Sequence, residues 1–179
     1  MPNSDEPIPS SRTHDRRGTP VLGFEFTYGW CAFTARCDGS SVTLRASTIV
    51  DSFRNLIKAV VHLLDGEPLA SAAWIGEGSG YFVDLALSGR DGIAIVIHEM
   101  RDGECAAGDW APARGSVVFT MRCGLGAFCV DLAHELRRLQ ATYADNSGYM
   151  KDWGWRFPAD LYTDVEQYAI RFGYRPGGS

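Results

Sequence analysis

Residues 69–100 constrain the fold more than any other stretch. They run LASAAWIGE, GSG, YFVDLALSG, RDG and IAIVIHEM. Three alternating apolar runs split by two glycine-bearing turns are the pattern of an antiparallel meander, because successive strand side chains point to opposite faces. Tyr81, Val83, Leu85 and Leu87 share one face of the middle run. In the last run Ile93, Ile95 and Ile97 alternate with Ala94, Val96 and His98, so both faces carry apolar residues. That predicts a central strand covered on both sides. His98 and Glu99 end the run as neighbours. They face opposite ways and cannot readily serve one substrate together.

The other elements add to this meander. Residues 21–28 alternate, with Leu22, Phe24, Phe26 and Tyr28 on one face. Residues 31–37 follow with Phe33, Ala35 and Cys37 together, and Asp38-Gly39 signals a tight hairpin into residues 41–48. Asp51 is placed to cap a helix whose apolar stripe is Phe53, Leu56, Ile57, Val60, Val61 and Leu64. Gly66 and Pro68 end it. Residues 101–114 are expected to be a polar loop with Cys105 and Trp110. Residues 115–123 make another strand, and Gly124-Leu125-Gly126 turns into a second helix along Phe128, Leu132, Leu136, Leu139 and Tyr143. Its exposed side is expected to carry Asp131, His134, Glu135, Arg137 and Arg138. Residues 144–157 are expected to be an aromatic loop. Pro158 opens a third helix along Leu161, Val165, Tyr168 and Phe172, and Gly173 closes it.

These elements predict one α+β domain over residues 21–174. A single antiparallel sheet of about seven strands packs against two or three helices. Residues 1–20, rich in Ser, Pro, Arg and Asp, are expected to be a disordered tail, and residues 175–179 a frayed end.

Charge narrows the function classes. The net charge of −5 speaks against a nucleic-acid surface and permits a basic partner. No apolar run approaches the ~20 residues of a membrane helix, and the start lacks a secretory pattern, so the expected location is cytoplasmic. The 5 cysteines include no C-x-x-C, and the 4 histidines have no metal-ligand spacing. Reduced, buried thiols are the expectation. A Cys31–Cys37 bridge along one strand would have to span roughly 20 Å, too far without an intervening turn. His134-Glu135 resembles half of a zincin motif, but Arg138 stands where the second histidine belongs. There is no G-x-S-x-G and no phosphate-binding G-x-G-x-x-G. No catalytic residue, cofactor or metal is indicated.

Two surface candidates remain. One is the aromatic loop, where Tyr149, Asp152 and Trp153 are expected to be exposed while Trp155 and Phe157 pack inward. The other is Trp74 and Glu77 with Asp109 and Trp110. Aromatics beside acids suit a basic protein partner. An alternative is a small-molecule pocket or enzyme site between sheet and helices near His98 and Trp74.

Three segments carry a family resemblance. They are DSFRNLIKAVVHLLDGEP, the W-x-x-E-x-x-x-Y-F-V-D-L strand pair with its G-R-D-G turn, and the closing Y-M-K-D-W-G-W-R-F-P-A-D-L. In their spacing over most of residues 51–170, they resemble small uncharacterised actinobacterial proteins similar to immunity proteins of polymorphic toxin systems. The cysteine content and the long N-terminal tail depart from that pattern. The resemblance implies a stoichiometric binder and toxin neutraliser and carries no catalytic residue; with the chain's acidic charge, the expected partner is a basic toxin domain.

Overall fold

The computed structural model describes residues 18–101, 112–144 and 146–176. The element order is β1 (Val21–Thr27), β2 (Trp30–Cys37), β3 (Ser40–Ser47), α1 (Ser52–Leu64), β4 (Leu69–Gly76), β5 (Ser79–Ser88), β6 (Gly92–Arg101), β7 (Ala113–Gly124), α2 (Leu125–Thr142), α3 (Ser147–Trp153) and α4 (Ala159–Arg171). The α+β class and the strand succession agree with the sequence. The single seven-stranded sheet does not. There are two antiparallel sheets, a three-stranded β1-β2-β3 and a four-stranded β4-β5-β6-β7.

The division falls at α1. The Asp51 carboxylate accepts the Arg54 N–H at 3.1 Å and caps the helix as its sequence requires. The helix then carries the chain off β3, and β4 begins a new sheet on its return. The two sheets come close near one corner. A Cβ added to Gly76 would stand only 3.0 Å from the Arg45 carbonyl oxygen, which explains the glycine.

The inner faces of both sheets and the apolar stripes of α1 and α2 share one core. Phe24 and Phe33 from the first sheet meet Val83, Leu85 and Ile95 from the second, Ile57 from α1 and Leu132 from α2. The space left among them is about 10 Å³. That is no more than the room one water needs, so this is a solid core. β6 lies inside its sheet, but only one face is buried. Ala94, Val96 and His98 on the other face are half-buried. The expectation of cover on both sides is therefore corrected: among the described residues no helix packs there.

Among the described residues there are four helices rather than two or three. The additional one is α3, inside the stretch expected to be a loop. Asn146 precedes it in the left-handed conformation at φ 61, and Gly154 ends it in the same region at φ 88. Tyr149 and Trp153, one turn apart, share its buried face.

At the margins, Gly18 bridges to Cys123 and Pro20 is buried, just before the expected domain start. Most of the expected tail lies outside the described residues, as do Cys105, Asp109 and Trp110. No helix among the described residues is long and apolar enough to cross a membrane. Cys31, Cys37, Cys123 and Cys129 are free, buried thiols.

Candidate functional site

The residues expected to form an aromatic surface divide sharply. Trp74, Tyr149 and Trp153 are each 0% exposed. The expectation that Tyr149 and Trp153 face solvent is overturned. Their ring planes join an interior aromatic cluster in which Phe26 lies 4.9 Å from Tyr149 and 5.6 Å from Trp153. The Trp153 indole N–H donates to Asp51 at 3.1 Å, tying α3 to the cap of α1. Trp74 packs on Phe33 at 5.5 Å. Glu77 is exposed in the β4–β5 turn. Asp152 is half-buried; its carbonyl accepts the Gly29 N–H at 2.6 Å, and Tyr143 donates to its carboxylate at 3.4 Å.

A different set reaches the surface, three aromatics together with Ile49. Tyr28 is 82% exposed, Ile49 63%, Trp155 39% and Trp30 37%. Tyr28 was expected to face inward with Phe26, but the strand has already ended at Thr27. Trp155 was expected to pack inward. Gly154, immediately before it, takes positive φ and breaks the helical face, and the indole N–H donates to the Thr48 carbonyl at 3.2 Å. The turns bearing these side chains are bound together. Thr48 N–H donates to the Gly29 carbonyl at 3.1 Å, and Gly29 in turn donates to Asp152. The β1–β2 turn, the β3–α1 connection and the end of α3 thus form one aromatic end of the molecule. On the outer face of β2 a shallow cleft of about 240 Å³ adjoins it, bordered by Glu25, Trp30 and Arg45.

Tyr28 is strained. It sits at φ 47 and Gly29 at φ 83, with Thr27 paired to Trp30 across the two-residue turn. Such a turn needs positive φ at both central positions and is served best by Asn-Gly or Asp-Gly. The β2–β3 turn has that solution, with Asp38 at φ 50 and Gly39 at φ 79. A tyrosine in the same place costs about 1–2 kcal/mol. Strain kept at an exposed aromatic tip points to use of the tip.

A second polar cluster braces the outer face of the four-stranded sheet, one residue from each strand. Arg114 grips both Asp84 oxygens at 2.7 Å each, Ser71 donates to Asp84 at 2.6 Å, and His98 Nε2 lies 3.5 Å from it. The Arg114 guanidinium also lies 4.6 Å over the Phe82 ring. Burial pushes the Asp84 carboxyl up, but the hydrogen bonds from Arg114 and Ser71 outweigh it and hold the carboxyl below its usual value. This is not a hydrolytic relay. Ser71 gives its hydrogen bond directly to the carboxylate, with no histidine between them to accept its proton. Trp74 lies on the opposite, inner face from His98, as strand alternation requires. The expected pocket shared by the two is therefore not formed.

Among the described residues no group of His, Cys, Asp or Glu is placed to hold a metal ion. No family model matches the chain, no curated protein matches it, and no solved structure matches it.

Proposed function

We propose that this protein is a non-catalytic binder of another protein, of immunity type, which neutralises a toxin domain by occupying it. The observation that carries the reading is Tyr28, an exposed aromatic held in a left-handed conformation beside Trp30, Ile49 and Trp155. Aromatic anchors grouped on rigid turns are the usual energetic centre of a protein interface. The resemblance to immunity proteins of polymorphic toxin systems supports the same class. The chain's net charge of −5 suits a basic partner.

The test is affinity capture from the native host with tagged wild type, a Tyr28→Asn Trp155→Ala double variant and a Glu77→Ala control. One stoichiometric protein held by wild type and control, and released by the double variant, is the expected result. Capture of that protein at equal strength by all three would move the interface elsewhere. Co-purification of a small molecule instead of a protein would overturn the class.

A further inference from the structure

The exposed edges of the sheets are not treated alike. On β1 the outward backbone groups are taken by α2: Leu22 N–H donates to Asp131 and Phe24 N–H to Glu135. On β7 the register shifts twice against β6, which breaks the ladder's regularity. On β4 the protection is partial. Register and the Leu87 N–H to Pro68 carbonyl bond place the even-numbered residues of β4 in the ladder with β5. Odd-numbered residues therefore point their backbone groups outward. The Ile75 N–H is captured by the buried Ser52 hydroxyl at 3.1 Å. The outward N–H and C=O groups of Leu69, Ser71 and Ala73 have no protein partner among the described residues.

This open edge borders a groove of about 430 Å³ between β4 and α1. Residues 69–73 form one side, with small side chains at all but the first, so another backbone can approach. Asn55, Lys58 and His62 line the helical side. His62 is paired with Glu67 at 2.9 Å, whereas Lys58 makes no ion pair among the described residues. The edge has no inward charge, bulge or proline of the kind that blocks strand addition.

We infer that β4 accepts an extended acidic peptide as a fifth strand of the four-stranded sheet, its backbone on Leu69, Ser71 and Ala73 and a carboxylate side chain on Lys58. Strand addition takes affinity from main-chain bonds and specificity from alternate side chains. A second copy of this chain fits less well, because antiparallel pairing of two β4 edges about a twofold axis brings two α1 helices and their Lys58 residues together. The site goes beyond the toxin-binding reading: its occupant is acidic where that partner is basic, and its geometry is separate from the aromatic end.

The probe is a fluorescein-labelled, end-blocked peptide of alternating Val and Glu, with an alternating Val and Lys peptide as counterpart. Wild type is expected to bind the Val–Glu peptide saturably and to slow amide exchange at Leu69, Ser71 and Ala73. Ala73→Pro removes one outward N–H and leaves the β5 ladder intact. It is expected to weaken binding about tenfold or more, with an unchanged circular dichroism spectrum. Lys58→Glu is expected to reverse the preference between the peptides. Unchanged affinity in folded Ala73→Pro would overturn the inference, as would no saturable binding at millimolar peptide. A concentration-dependent dimer abolished by Ala73→Pro would instead assign the edge to a second copy. Neither variant touches Tyr28 or Trp155, so failure here leaves the aromatic end standing.

Discussion

The Glu135 carboxylate accepts the backbone N–H of Phe24 at 2.7 Å, joining residues 111 positions apart. Arg138 completes the arrangement by bonding both Glu135 oxygens and the Phe24 carbonyl at 2.8 Å. With Asp131 on Leu22, helix α2 supplies the hydrogen bonds that a neighbouring strand would otherwise give β1. These side chains were expected on the exposed side of the helix. Glu135 is instead buried, because its ladder of partners lies on the strand edge.

Removing that carboxylate strands a buried N–H. Glu135→Ala is expected to cost about 2–3 kcal/mol, read from urea midpoints, and Glu135→Gln about 1 kcal/mol because an acceptor remains. A change below 0.5 kcal/mol for the alanine variant, on the order of a neutral surface substitution, would show that the edge is not held this way.

The two half-buried carboxyls of Asp51 and Asp131 give stability a pH dependence. Burial pushes both upward despite their hydrogen bonds. A carboxyl raised in the folded state contributes stability below its unfolded value, and that contribution is lost as pH rises through the folded value. Asp51→Asn keeps an acceptor for Arg54 N–H and Trp153 without the charge. Its stability relative to wild type is expected to increase from pH 4 to pH 7, the range above the ordinary aspartate value of about 3.9. Urea unfolding at both pH values checks it. A relative stability that falls over this range would contradict the direction.

Tyr28 should show a stability–function conflict. Tyr28→Asn places the residue that the turn favours and is expected to raise stability by about 1 kcal/mol. The same change is expected to weaken partner binding. Thermal unfolding and capture of the partner, measured on one preparation, separate the two effects.

The two tryptophans of the W-G-W segment should behave oppositely. Trp153→Ala opens the aromatic core and breaks the bond to Asp51, for an expected cost of about 3–5 kcal/mol. Trp155→Ala removes a half-exposed ring and is expected to cost about 1 kcal/mol or less. Chemical denaturation of the single variants is sufficient to rank them.

The W-G-W segment also shows where sequence reading reaches its limit. Tyr149 and Trp153 stand at helical spacing, a signal available in the sequence but masked by the surrounding Asn, Ser and Gly. Gly154 then reverses which tryptophan faces water. Within each hairpin, alternation and the Asp38-Gly39 and glycine-bearing turns made the pairing legible. The separation into two sheets was not, because a strand's pattern states which face is buried but not which neighbour lies beyond an intervening helix. The strain at Tyr28 depends on a two-residue turn length. That becomes visible only once Thr27 and Trp30 are seen to pair.

The central claim is that the aromatic end binds a protein. Its most direct test is calorimetric titration of the captured partner into wild type and into the Tyr28→Asn Trp155→Ala double variant. The expected result is a one-to-one complex with wild type and a loss of affinity of about 100-fold or more in a variant that still unfolds cooperatively. Equal affinity for the two proteins would contradict the account.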